Sequence, residues 1–147
     1  MEKVKIYSVI SNSNNETTTI EALADYDSDA CTLKYMEENL NVTIEIMDKR
    51  IRMERKNEEY DLNLDFVQNE KKRCKYIVNS VGLNLEIVVY TKILEIEENR
   101  IYISYELFND SNSIGTFEYK LLLMEWLYEH KRKIKRNNWC IIIKTRY

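Results

Sequence analysis

Apolar and polar residues alternate with a period of two along most of this chain, from Lys3 to about Met124. The alternation is clearest in the segments 83–89 and 101–107, where every second residue is leucine, isoleucine, valine or tyrosine. Successive side chains of a β-strand point to opposite faces, so this pattern predicts strands with one buried and one hydrated face. The chain is therefore predicted to be all-β.

Ten segments fit strands, and the links between them are short. The predicted strands are 3–10, 17–26, 29–37, 41–47, 50–56, 59–67, 71–79, 83–96, 99–108 and 114–123. Since the chain has two glycines and no proline, Asn and Asp are expected to supply most left-handed turn positions. Short links between consecutive strands predict an antiparallel meander. Closing the meander removes its exposed edges, which favours an antiparallel β-barrel of eight to ten strands.

Length and composition indicate one globular domain. The chain has 147 residues, of which 44% are hydrophobic and 32% charged. No apolar run approaches the roughly 18–20 residues of a transmembrane helix, and the N-terminus lacks the apolar core of a signal peptide. Three scattered cysteines, Cys31, Cys74 and Cys140, fit a reducing compartment. We therefore expect a cytoplasmic protein without a transmembrane segment.

Charge divides the chain into two unequal parts. Residues 131–147 hold seven of the 22 Lys and Arg residues and no acid, so residues 1–129 hold 15 bases against 25 acids, a net charge of −10. Such an acidic body would repel phosphates, and we expect no nucleic acid on the barrel.

The C-terminal segment has a different pattern from the strands. Leucines, His130 and Ile134 recur at spacings of three and four, which predicts a short amphipathic helix over about 124–136. Residues 139–143 then form a final apolar stretch. We divide the chain into a barrel domain, 1–123, and a basic helix/strand extension, 124–147. The extension has three interpretations: docking on its own barrel, contact with anionic lipid or nucleic acid, or formation of a homodimer through 139–143.

Several segments in fixed order resemble a known family. They are Leu33–Glu38, Thr43–Arg55, Gly82, Thr91-Lys92, Tyr105-Glu106-Leu107 and Gly115. In this order they resemble the YwiB-like family of small bacterial proteins with a domain of unknown function. The resemblance covers about residues 3–123 and implies a calycin-like β-barrel, similar in shape to lipocalins and fatty-acid-binding proteins. It implies no established activity, and the extension lies outside it.

Strand parity places one charged pair inside the barrel. On the strand 50–56, Met53 and Arg55 share the apolar face, and on 29–37 Tyr35 and Glu37 do so. Both strands flank 41–47 and run in the same direction, so Glu37 and Arg55 are predicted to lie at the same rim. An arginine fork there matches the carboxylate of Glu37 or of an acidic ligand. The alternative is a rim salt bridge, or an arginine whose charged end reaches water.

Eleven tyrosines are many for this length, and Tyr35, Tyr76, Tyr105 and Tyr119 fall near apolar positions. They are candidates to line a cavity and offer hydroxyls to a ligand. Tyrosine is also a strand former that fills small barrels, so a barrel filled by its own side chains is the alternative.

No pattern of catalytic or metal-binding residues accompanies these candidates. The single His130 lies among lysines, and no second histidine exists for a triad or zinc site. We therefore expect no enzyme, no catalytic residue, no metal and no cofactor. The leading hypothesis is a barrel that binds a small apolar or amphiphilic ligand near Tyr35, Glu37, Met53, Arg55, Tyr76, Tyr105 and Tyr119. The alternative is a structural or interaction protein with a filled barrel and a functional basic tail.

Overall fold

The structure, a computed structural model, describes residues 2–126, and side chains as far as Met124. These residues form ten strands and no helix, which confirms the all-β prediction. The strands are β1 (Glu2–Asn12), β2 (Thr17–Asp27), β3 (Thr32–Glu37), β4 (Leu40–Met47), β5 (Arg50–Lys56), β6 (Tyr60–Phe66), β7 (Lys71–Val78), β8 (Leu83–Ile96), β9 (Arg100–Asn109) and β10 (Asn112–Trp126). The described part of the chain contains no helix long and apolar enough to cross a membrane.

The ten strands close into a barrel, as the short links predict. Each strand pairs antiparallel with the next along the chain, and β1 pairs with β10 to complete the ring. The closing ladder runs from Val4 opposite Trp126 to Asn12 opposite Phe117. Closure gives every strand a neighbour on each side, which removes the two free edge strands of an open sheet.

Left-handed residues make the tight turns between the strands. Asn15, Asn69 and Asp110 have positive φ, as expected from the polar links. The expectation that Asn and Asp supply most such positions is wrong for residues 2–126, because three further non-glycine residues there share this conformation: Cys31, Glu38 and Lys49. The predicted strand 29–37 is also shortened to start at Thr32, since Asp27 accepts hydrogen bonds from the backbone of residues 29 and 30 and folds this segment into a turn.

The interior is packed along most of its length. Buried residues alternate with more exposed ones along much of the strands. Among the largest fully buried side chains are Tyr26, Phe66, Tyr119 and Met53. A bulge between Thr91 and Ile93 shifts the parity of β8, so that Leu94 packs against the core. The core therefore fills the middle of the barrel and leaves its two ends less densely covered.

One seam in the wall is only partly closed. β6 and β7 pair over three residues each, Tyr60–Leu62 with Tyr76–Val78. The segment that links them crosses instead to β8, where Asn69 donates a backbone hydrogen bond of 2.7 Å to the carbonyl of Thr91. Because the connection turns towards β8, the facing edges of 63–66 and 71–75 are not joined by a ladder.

The structure corrects the predicted start of the C-terminal helix. β10 continues to Trp126, so residues 124–126 are strand, because this end of β10 pairs with the beginning of β1. The rest of the predicted helix, His130, the apolar stretch 139–143 and the three interpretations of the extension lie outside the described residues. The division into domains 1–123 and 124–147 stays a prediction.

Candidate functional site

The predicted site residues gather at one end of the barrel, where β1, β3, β5, β7 and β9 finish. We call it the Arg55 end; its hairpin links are residues 13–16, 38–39, 57–59, 79–82 and 110–111. Glu37 is the last residue of β3 and Arg55 the penultimate residue of β5, and both strands pair with β4. Alternation along each strand then turns both side chains inward, as parity predicts.

Arg55 and Glu37 form a buried ion pair. Nη2 of Arg55 donates to Oε2 of Glu37, and the two side chains are only 9% and 10% exposed. Burial by itself would lower the pKa of Arg55, but the charge and hydrogen bond of Glu37 outweigh it, and the pKa is raised. Removing one partner of such a pair leaves an uncompensated buried charge, which costs about 3–5 kcal/mol. The predicted juxtaposition of these two residues is confirmed.

Two tyrosines on distant strands meet beside this pair. The hydroxyls of Tyr35 on β3 and Tyr119 on β10 lie 2.8 Å apart, and Tyr35 also hydrogen-bonds the buried Ser8 of β1. Burial raises the pKa of Tyr35, which the hydrogen bonds of Tyr119 and Ser8 oppose only in part, and it raises the pKa of Tyr119 well above its ordinary value. Both hydroxyls therefore stay protonated at neutral pH.

Tyr105 forms the third aromatic wall of the cluster. Its ring stacks on Phe117 at 5.3 Å between centroids and lies against Phe66 at 4.8 Å. Burial raises the pKa of Tyr105, and the positive charge of Arg55 lowers it less. The structure thus brings together five of the seven predicted residues, namely Tyr35, Glu37, Arg55, Tyr105 and Tyr119.

The other two predicted residues lie apart from the cluster. Met53 is fully buried one inward position deeper on β5, where it forms part of the packed core. Tyr76 is half-buried on β7 and contacts Tyr60 edge-on, at 5.8 Å between ring centroids. It belongs to a group of partly buried apolar residues that pack on the core towards the Arg55 end, with Ile10, Ala22, Leu62 and Phe117. We call this group the apolar rim.

Two buried polar atoms have no hydrogen-bond partner within the described structure. They are Nη1 of Arg55 and Oγ1 of Thr91, whose residues are 7% and 0% exposed. Thr91 lies opposite Tyr105 in the β8–β9 ladder, so the second atom is next to the cluster. We did not predict Thr91 as a site residue from the sequence. Its place two residues after Val89, in line with the inward positions of Ile87 and Val89, does predict an inward side chain. Buried polar groups are nearly always paired, and these two are exceptions that need a reason.

Two cavities of ligand size lie on the outside of the wall. One of about 390 Å³ lies over the β6–β7 seam, with Met53, Leu64 and Cys74 on its floor and charged side chains around it. Another of about 540 Å³ lies beside Lys56 and the 57–59 link.

The described residues offer neither a reactive thiol nor a metal site. Burial raises the pKa of the Cys74 thiol to about 11, so it is a poor nucleophile at neutral pH. Among the described residues, no group of three or more His, Cys, Asp and Glu is placed to hold a metal ion.

Comparison with known proteins assigns the chain to a family. The profile of a domain of unknown function, DUF1934, matches residues 4–121. The crystal structure of the YwiB protein from Bacillus subtilis is similar, with a TM-score of 0.52 and 17% sequence identity over 83% of this chain and 90% of that one. At this identity the likeness shows the barrel fold alone. No curated protein sequence matches the chain.

The family profile covers most of the barrel, and the structural likeness agrees with a barrel fold. The chain therefore belongs to the YwiB-like family of barrel proteins that carries the domain of unknown function DUF1934.

Proposed function

We propose that this barrel is a non-catalytic binding protein for a small amphiphilic molecule, held at the Arg55 end. The polar end of the ligand would accept a hydrogen bond from Nη1 of Arg55, and its apolar part would lie on the apolar rim. The observation that carries the proposal is the buried Nη1, which has no partner among the described residues.

The energetics of this nitrogen support a ligand. A buried donor without a partner costs about 1–3 kcal/mol, and more when the group is charged. A ligand acceptor removes that cost, so the same atom that weakens the free protein favours the complex. Small-molecule sites commonly join a mostly apolar lining to a few fixed polar groups, which is the composition of the apolar rim and the cluster.

The chemistry of the cluster supports binding rather than catalysis. Its polar groups pair with each other, hydroxyl with hydroxyl and guanidinium with carboxylate. Raised pKa values keep the three tyrosines protonated, so they offer hydrogen bonds and no nucleophile. We also propose that the barrel groups with the calycin-like barrels, closed meanders that hold ligands within one end, and that the protein is cytoplasmic.

A second function is favoured by the packed interior. Side chains such as Tyr26, Phe66 and Ile51 fill the barrel below the cluster, which is what a barrel without a ligand requires. In that case the seven bases of residues 131–147 would be the functional element, contacting an acidic partner or joining two copies of the chain. We favour the binding function because a filled barrel does not explain why Nη1 of Arg55 is buried without a hydrogen-bond partner among the described residues.

Isothermal titration calorimetry of the full chain with decanoate and with 1-decanol tests the first proposal. The structure leads us to expect saturable binding with one site per chain. Arg55→Met should weaken decanoate binding about tenfold or more, since a charged hydrogen bond contributes about 1.5–3 kcal/mol. Arg52→Met on the outward face of the same strand, where the side chain is 54% exposed, is the matched control and should bind as the wild type does.

Arg55→Lys serves as a second variant because it keeps the charge opposite Glu37 while losing the fork. It should fold and still bind decanoate more weakly than the wild type. Absence of binding by both probes, or equal affinity in the wild type and both Arg55 variants, would contradict the proposal.

A further inference from the structure

The β6–β7 seam leaves two strand segments with a ladder on one side only. Residues 63–66 of β6 pair with β5, and residues 71–75 of β7 pair with β8. Beyond Leu62 and Tyr76, however, no ladder joins these two segments to each other. Backbone N–H and C=O groups need hydrogen-bond partners wherever they are covered. An extended segment that lies along the seam can supply them, as in the addition of a strand to an open sheet edge.

We propose that the apolar stretch 139–143 of this chain is that segment, docked along the seam over the cavity of about 390 Å³. The stretch lies outside the described residues and has the sequence Trp-Cys-Ile-Ile-Ile. Isoleucine and tryptophan are favoured in strands. A short, continuous apolar run is typical of a strand that is buried on both faces.

The cavity over the seam suits an apolar segment. On its floor lie Met53, Leu64 and Cys74, which are at most 5% exposed. Its rim is electrically balanced, with three acids and three bases: Glu45, Glu54, Asp65, Arg52, Arg73 and Lys75. Because the rim carries no net charge, apolar contact with the floor decides which segment binds there.

The chain leaves the barrel at the end where the seam is open. Trp126 ends β10 at the same end as the 67–70 link, because β6 and β10 run in the same direction in the antiparallel ring. Three strand spacings of about 4.8 Å each separate β10 from β7 along the wall. The 12 residues 127–138 span about 18 Å as a helix and about 40 Å when extended, so either conformation reaches the seam.

Charge favours docking of the extension on its own barrel. Residues 131–147 hold seven bases and no acid, whereas residues 1–129 carry a net charge of −10. Attraction between exposed charges is screened beyond about 10 Å at 0.1 M salt, so it holds the extension near the wall without selecting a place on it. Since the stretch is tethered to the barrel, docking within one chain is favoured over docking between two copies at low protein concentration.

Amide hydrogen exchange of the full chain, followed by NMR, tests the docking. In the wild type, the amides of 63–66 and 71–75 that face the seam should be protected. Ile142→Asp places a charge in the apolar stretch and should accelerate their exchange about tenfold or more. Thr145→Asp introduces the same side chain beyond the stretch and is the matched control, with exchange as in the wild type. Amides of the β9–β10 ladder should be unchanged in all three proteins.

The native cysteines provide a second measurement in the unmodified protein. Docking brings Cys140 to the seam, where Cys74 lies, whereas Cys31 belongs to the β2–β3 link. Cys31 and Cys74 are equally exposed, at 5%, so they are a matched pair. After oxidation with diamide and peptide mapping without reduction, the disulfide that joins Cys74 to Cys140 within one chain should exceed the one that joins Cys31 to Cys140.

The two measurements have distinct outcomes. Exchange of the seam amides at the same rate in the wild type and in Ile142→Asp would overturn the inference. Disulfides between two chains, or protection that rises with protein concentration, would assign the seam to a second copy and overturn docking within one chain. If Ile142→Asp does not fold, the disulfide pattern of the wild type decides alone, and equal amounts of the two disulfides would then overturn the inference.

Discussion

The hydroxyls of Tyr35 and Tyr119 lie 2.8 Å apart inside the barrel although the residues are 84 positions apart in the sequence. The contact joins β3 to β10, two strands that do not pair in the ring. It therefore ties opposite halves of the meander through the interior, in addition to the ladder between β1 and β10 that closes the wall.

This relationship predicts coupling between the two tyrosines. Tyr119→Phe removes one hydroxyl and should lower the free energy of unfolding by about 1 kcal/mol, because the Tyr35 hydroxyl loses a buried partner. Adding Tyr35→Phe should cost less than Tyr35→Phe does alone, since no unpaired hydroxyl then remains in that contact. Urea unfolding of the four proteins measures the coupling; strictly additive losses would contradict it.

For the ion pair of Arg55 and Glu37, we predict that replacing both residues restores much of the stability that each single replacement removes. Arg55→Met or Glu37→Leu alone should lower the free energy of unfolding by about 3–5 kcal/mol, because each leaves one buried charge uncompensated. The double variant should recover much of that loss, since two apolar side chains replace the pair. Arg52→Met is the exposed control and should change stability by no more than about 0.5 kcal/mol. A double variant as unstable as the sum of the singles would refute this account.

The sequence identifies the charged pair because parity needs only the strand direction and the apolar face. On β5 the run Ile51, Met53, Arg55 fixes the inward side, and on β3 Leu33, Tyr35, Glu37 does the same. Whether an inward polar atom finds a partner depends on side chains from other strands, so the orphan atom of Thr91 was not predictable. The β6–β7 seam was not predictable from the sequence either. It forms because the link 67–70 crosses to β8, a contact between segments that are distant in the sequence.

A second arginine on β5 predicts how stability depends on pH. Arg50 donates to both oxygens of Asp65 at 2.8 and 2.5 Å, and this hydrogen bonding holds the pKa of the Asp65 carboxyl below its usual value. A lowered folded-state pKa stabilises the fold above the unfolded pKa of about 3.9, and the contribution is lost as pH falls through the folded value. Asp65→Asn should therefore cost about 1 kcal/mol or less at pH 7 because the pair is partly hydrated, and it should cost less at pH 3 than at pH 7. Equal destabilisation at both pH values would contradict the assignment.

We predict that the thiol of Cys74 reacts slowly with alkylating reagents in the folded protein. Burial raises its pKa to about 11, so less than about a thousandth is thiolate at pH 7.4 in the folded protein. Alkylation of Cys74 by iodoacetamide, followed by peptide mapping, should be slow in the native protein and fast in urea. Equal rates of alkylation in both conditions would show that the Cys74 thiol, which lines the cavity over the β6–β7 seam, is open to solvent.

The position of the bound ligand decides whether the binding site is built on Arg55. In ¹⁵N–¹H correlation spectra of the full chain titrated with decanoate, the largest shifts should fall on the amides around Tyr35–Glu37, Met53–Lys56 and Tyr105–Leu107. Shifts concentrated instead at Asn63–Asp65 and Arg73–Lys75 would place the ligand in the wall cavity over the β6–β7 seam. That result, or shifts spread evenly over the outer surface, would contradict a binding site built on Arg55.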